Sequence, residues 1–163
     1  MTVADARDFS DVHANIRRVS AALDRRATGE AQIARLDQRL SHAAGAWGGM
    51  RALYLTPGGA TSGPGTLIDA ILRAAGMTNA ETRSGFQTVS LEQMALTRPP
   101  ALVLGFFDTF QSGGDNWGVG GHRILRTAVR DRAVASLPGS MLGCPDASSA
   151  AAVELLAAKA VGR

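Results

Sequence analysis

Ala101-Leu-Val-Leu-Gly-Phe-Phe107 is an unbroken apolar run set between the breaker Pro99-Pro100 and the polar Asp108. A run this short, bounded on both sides, reads as a strand buried on both faces, the kind found in parallel sheets with helices above and below. On its C-terminal side a polar, Gly-rich loop spans 108–121, a helix follows near 122–130, and Ala133-Val-Ala-Ser-Leu137 gives a further short strand. Ser148 or Ser149 is placed to cap a closing helix through Ala160. On its N-terminal side Ser90-Leu-Glu-Gln93 fits the opening of a short helix, and Gln87-Thr-Val89 a strand before it. Thr66 to Ala75 has helical patterning and stops at Gly76, while Arg51-Ala-Leu-Tyr-Leu-Thr56 reads as another strand. Strand and helix therefore alternate from 51 to 160, the order that builds an α/β parallel sheet.

Upstream of this core, apolar residues at Phe9, Val12, Ile16, Val19 and Leu23 step by three and four along one helical stripe. The stripe breaks at Ala27-Thr28-Gly29 and resumes at Ile33, Leu36 and Leu40. Two helices are expected, about 8–26 and 29–44, with Thr28 capping the second and Glu30 in its first turn. Residues 1–45 thus form a helical opening and 46–163 an α/β lobe.

The 163 residues suffice for one domain with a proper core, and with aromatics at 5% that core rests on Leu, Val, Ile, Met and Ala. A net charge of +3 is spread along the chain, and 16 of the 17 basic residues are Arg, Lys159 being the exception. Arg123, Arg126, Arg130 and Arg132 form the tightest basic group, which reads as a solvated helix face. Without interleaved aromatics for base stacking, nothing points to nucleic acid. The single cysteine, Cys144, excludes an internal disulfide and any multi-Cys metal site. No run of 18 apolar residues encodes a membrane span, and Met1 to Phe9 has no apolar signal-peptide core.

Glycines cluster at 58–65, 113–121 and 139–143, in loops that leave the C-terminal ends of strands. In open α/β sheets ligands sit beyond those ends, so loops 57–65, 108–121 and 138–147 should share one rim. Gly58 to Thr66 invites an anion-binding reading, yet no Lys follows Gly65 as a phosphate loop needs, and Ile68 stands where a dinucleotide fingerprint needs its third Gly. His13, His42 and His122 lack partners at metal-ligand spacing, and no Gly-x-Ser-x-Gly motif occurs. No cofactor, metal or catalytic constellation is implied, so binding rather than catalysis is expected. Phe106, Phe107, Phe110 and Trp117 hold four of the eight aromatics in one strand end and loop. Trp117, amid Gly and Asp, is expected to face a ligand.

Taken together, several segments resemble the C-terminal lobe of the helical-backbone periplasmic substrate-binding proteins of ABC importers. They are Leu53-Tyr-Leu-Thr-Pro-Gly-Gly59, Gly63-Pro-Gly-Thr-Leu-Ile-Asp69, Ala75-Gly-Met-Thr-Asn79, Val89-Ser-Leu-Glu-Gln-Met94 and Arg98-Pro-Pro-Ala-Leu-Val-Leu104, followed by Gly121-His122, Leu137-Pro138 and Cys144-Pro145. The resemblance implies a single Rossmann-like lobe with a mostly parallel sheet of about four strands, preceded by a long interlobe backbone helix. It implies a metal-chelate ligand (a siderophore, haem or cobalamin), a permease in the inner membrane, a periplasmic setting, and an N-terminal lobe forming the other wall of the cleft. Ligand contacts are then expected from Tyr54, Gly59, Thr61, Phe107, Asp108, Trp117 and His122. Glu92 matches the residue by which the family's C-terminal lobe docks on permease arginines. On this reading the stripe of the first helix would lie exposed and make the chain prone to associate. The competing expectation is a free-standing cytosolic α/β domain that binds a nucleotide or other anion at the Gly58–Thr66 helix start.

Overall fold

Asp8 starts the first helix: its Oδ1 accepts from the backbone N–H groups of Ser10 and Asp11 at 2.9 and 3.1 Å. The Ser10 hydroxyl, donating to the same oxygen at 2.6 Å, and these backbone N–H groups hold its carboxyl below the usual range. In this computed structural model, which describes residues 4–108 and 122–162, α1 then runs Phe9–Ala22 and α2 Arg26–Ala43. The break falls at Leu23–Arg25, where Asp24 takes φ +53°, and not at 27–29. Thr28 lies within α2, whose N-cap Arg25 makes no side-chain capping bond. Gly29 marks a close crossing of the helices, since a Cβ there would collide with Ser20. The centre of the stripe expected to be exposed is covered, Val12 and Ile16 packing with Ile33 and Leu36 of α2 and with Ala150, while Leu23 at its end stays exposed. The first helix had its partner in the second, four residues downstream, so the association expected from a bare stripe loses its basis.

β1 (Arg51–Leu55) leads through a turn into β2 (Ala60–Ser62) and α3 (Leu67–Ala74). At the end of α3, the N–H of Met77 reaches Leu72 O and that of Gly76 reaches Arg73 O, with Gly76 at φ +85°. This pair of bonds satisfies two carbonyls of the last turn and requires the left-handed conformation that Gly adopts without strain. β3 (Thr78–Asn79), β4 (Phe86–Thr88) and α4 (Leu91–Thr97) follow, then β5 (Ala101–Gly105). The chain closes with α5 (Arg123–Arg132), β6 (Ala133–Leu137), α6 (Gly139–Leu142) and α7 (Ser148–Val161). α7 is not capped by a serine hydroxyl; Asp146 Oδ1 accepts from Ser148 N at 2.7 Å instead.

The main sheet has the order β3-β1-β5-β6 and every neighbouring pair is parallel. All five residues of β5 are buried, as the apolar run dictates. One face carries Ala52, Tyr54, Val103 and Leu137 against α3 and α7; the other carries Leu53, Leu55, Leu102 and Leu104 against α4 and α5. β2 and β4 form a separate antiparallel pair. Trp47, in the loop before β1, is buried and donates from Nε1 to Leu156 O at 2.8 Å, fastening that loop to α7. α2 joins the lobe through a bidentate Arg39–Glu154 pair, both bonds 2.7 Å.

Candidate functional site

Because β1, β5 and β6 are parallel, Thr56, Phe106 and Pro138 leave the sheet along one edge. Two contacts tie these exits together. Thr56 and Phe107 line a common cavity of about 200 Å³ with Leu55, Leu125, Arg126, Val129 and Arg130. Asp108 accepts from Gly139 N at 3.0 and 3.3 Å, so the loop after β5 caps the short helix after β6. Phe106, the first residue beyond β5, has φ +62°. An aromatic residue in the left-handed region stores about 1–3 kcal/mol of strain, a feature that gathers at functional rims.

The expected site residues divide into two groups. Phe107, Asp108 and His122 stand at the edge: Phe107 is half-buried on the cavity wall, and Asp108 and His122 are exposed. His122 caps α5, its Nδ1 accepting from Ile124 N at 3.2 Å, so Nε2 is the nitrogen left for an outside partner. Tyr54, Gly59 and Thr61 are buried instead. Tyr54 is 2% exposed on the α3/α7 face, its ring lying over Gly105, and burial pushes its phenol pKa up. An even-numbered position on β1 points to that interior face. Gly59 is buried in the turn after β1 and its carbonyl accepts from Val89 N at 2.9 Å. Thr61 is 1% exposed in β2. Trp117 lies outside the described residues, as does most of the 108–121 loop. Glu92 is exposed in the first turn of α4.

The anion reading of the helix start at Gly58–Thr66 meets a physical obstacle. Thr66 Oγ1 accepts from Asp69 N at 3.2 Å and donates to Gly63 O at 2.8 Å, so the cap is already made within the chain. The carboxylate of Asp69, buried in the first turn, is paired with Arg73 at 3.0 Å and Asn79 at 3.0 Å. A buried negative charge beside the helix N-terminus takes up the dipole that a phosphate would use and repels a second anion. Spacing could flag Thr66 as a cap, but only the folded chain shows that Asp69 is the resident anion.

Two features of the edge escaped the sequence. Arg126 and Arg130 belong to the cavity wall as well as to a solvated face, because α5 lies beside the exit of β1 and Phe107. Phe106 leaves the core for the edge, half-buried, because its backbone turns left-handed directly after β5. Chemically, the edge offers an aromatic and aliphatic floor with two guanidiniums, a carboxylate and an imidazole beside it. Among the described residues no three His, Cys, Asp or Glu side chains lie close enough to hold a metal ion.

No protein-family model matches the chain, and no curated protein matches it in sequence. Solved structures match it over nearly its whole length. An ABC-type Fe3+-hydroxamate transport protein from Saccharomonospora viridis superposes with a TM-score of 0.73 at 22% identity, covering 97% of this chain and 58% of that one. The periplasmic heme-binding protein BhuT, solved with two hemes, gives 0.73 at 25% identity, covering 99% and 66%. The periplasmic vitamin B12-binding protein BtuF of Vibrio cholerae gives 0.64 at 15%, covering 96% and 63%. The chain therefore has the fold of one lobe of these proteins, as its motifs implied, and spans about three-fifths to two-thirds of their length.

Proposed function

We propose that this chain is the C-terminal lobe of a periplasmic substrate-binding protein that delivers an iron–siderophore, haem or cobalamin to an ABC importer. What supports this most is that 96–99% of the chain superposes on part of proteins named for those three ligand types. The edge of the sheet is suited to such a cargo: Phe107, Leu55 and Leu125 provide apolar contact for a large ring or chelate, and Arg126 and Arg130 can meet its carboxylates. Trp117 is retained as a ligand-facing residue, and its fluorescence should change on binding.

A lone lobe supplies one wall of the cleft. If a two-walled site binds at micromolar affinity, about −8 kcal/mol, half of that free energy leaves about −4 kcal/mol, a dissociation constant of roughly a millimolar. Isotope-labelled chain titrated with haem, a ferric hydroxamate and cyanocobalamin should show millimolar binding to one of them, with shifts at Phe107, His122 and Arg126. Phe107→Ala should weaken it severalfold. Absence of binding to all three, or shifts confined to residues away from the sheet edge, would overturn the ligand reading.

Glu92 is proposed to dock the lobe on permease arginines. It is exposed, and a carboxylate there can accept a bidentate, charge-assisted pair from a guanidinium without touching the ligand. In a two-lobed protein carrying this sequence, Glu92→Gln should lower transport and leave ligand affinity unchanged. Transport at the parental rate removes the docking role.

A further inference from the structure

Outside α4 and α5, half of the described arginines are matched by carboxylates: Arg7 with Asp11, Arg17 with Glu30, Arg39 with Glu154, Arg73 with Asp69 and Arg83 with Glu81. The face built by α4 and α5 departs from this. It gathers Arg98, Arg123, Arg126, Arg130 and Arg132, and among the described residues only Arg130 has a carboxylate partner, Asp131 at 2.8 Å. Five guanidiniums against Asp131 and Glu92 equal the formal excess of +3 that the whole chain carries. α4, α5 and the adjoining Arg98 thus carry a local excess of positive charge.

The same face bears exposed aliphatic side chains. Leu96 of α4 is 84% exposed and Ile124 of α5 is 37% exposed. Ile124 lines a shallow groove of about 530 Å³ with Ala95, Arg98, Arg123, Arg132 and the single carboxylate Asp131. Leu96 lies one turn beyond Glu92, on the same side of α4. Met94, Leu125 and Ala128 turn the other way into the core, so the two helices are anchored and their outer surface is left polar-basic and aliphatic.

We propose that the α4–α5 face rests on an anionic lipid surface, with the arginines among the headgroup phosphates and Leu96 and Ile124 at their level. Arg98, Arg123 and Arg126 have no carboxylate to fix them among the described residues, so they form a diffuse cationic field rather than a fixed fork. A fluid layer of phosphates can rearrange to meet such a field, whereas a folded acidic partner would need the guanidiniums held in place. Aliphatic side chains between arginines have the composition of an interfacial helix face. The inference rests on the importer reading only for which membrane the protein meets.

The test is cosedimentation of this chain with vesicles of equal parts phosphatidylglycerol and phosphatidylcholine, and with phosphatidylcholine alone, at low and high salt. Binding is expected to the anionic vesicles only and to be lost at high salt. Each arginine near an anionic surface contributes about fivefold in partitioning, so Arg98→Ala, Arg123→Ala and Arg126→Ala together should reduce it on the order of a hundredfold. Arg25→Ala, Arg26→Ala and Arg35→Ala, an equal loss of charge on α2, should change it by less than about fivefold. Circular dichroism checks that both variants remain folded. Equal losses from the two triple variants, binding to neither vesicle, or binding to poly-glutamate in place of vesicles would each overturn the proposal, the last in favour of an acidic protein partner. No permease or transported ligand enters this test, so its failure leaves the importer reading standing.

Discussion

Gly105 ends the central strand directly below the functional edge, and the structure leaves it no room for a side chain. A Cβ built there would lie 2.5 Å from Tyr54 Cζ and nearer still to Cε2 and Oη. Carbon atoms settle at about 3.5–4.0 Å, so Gly105→Ala demands that the Tyr54 ring or one strand move by about 1 Å. Neither moves freely: β1 and β5 are locked in parallel register with Tyr54 opposite Val103, and the ring is packed in the core shared by α3 and α7. Overpacking of this kind costs about 1–3 kcal/mol, which in a domain of this size lowers Tm by roughly 2–4 °C per kcal/mol. Urea unfolding followed by circular dichroism should show the loss as a lower midpoint with unchanged slope. Adding Tyr54→Phe removes the most crowded atom and should recover part of the loss, so the two changes will not add. A Gly105→Ala variant within about 0.3 kcal/mol of the parent, or strict additivity with Tyr54→Phe, would refute the packing argument.

Other consequences can be checked with the same apparatus. Arg39 holds the Glu154 carboxyl below its usual range through its hydrogen bonds. A depressed carboxyl pKa stabilises the fold above the unfolded value near 4.5 and loses that contribution as pH falls through the folded value. Both side chains are more than a third exposed, so Arg39→Ala should cost only about 0.2–1 kcal/mol at neutral pH, and the difference from the parent should vanish in acid and shrink in salt. Trp47→Phe removes the buried donor to Leu156 O, a carbonyl that stays within the hydrogen-bonded helix α7, and should lower stability by about 0.5–1.5 kcal/mol in urea unfolding. Asp108→Ala should cost about 0.5–2 kcal/mol, with hydrogen exchange quickening at Gly139 and through α6 before it does in the sheet.

Local chemistry determined much of this molecule. The apolar run 101–107 specified a strand with both faces covered, and β5 is buried at every position. Gly76 marked the end of α3 because only a residue at ease with positive φ completes that hydrogen-bond pattern. Alternation of strand and helix then allowed little but a parallel sheet, and with it a single edge of strand C-termini. Element boundaries that depend on distant partners were not legible. The turn between α1 and α2 falls at Asp24 because two helix faces must meet, and Thr28, a good cap by type, sits inside the first turn of α2. β3 has two residues and exists only because β1 offers an open edge beside Arg51 and Ala52.

For the candidate site the division is sharper. Sequence order placed Phe107, Asp108 and His122 at strand exits and helix starts, positions that follow from topology alone. It could not tell that Tyr54 faces inward, since in a strand buried on both sides no polar alternation marks which residues point where. Nor could it show that Asp69 fills the anion position at the start of α3, or that five arginines from two helices share one face. Those facts depend on which elements pack side by side. Side-chain period and backbone preference act over a few residues, whereas pairing of charges and closing of cavities are settled between residues far apart in the chain.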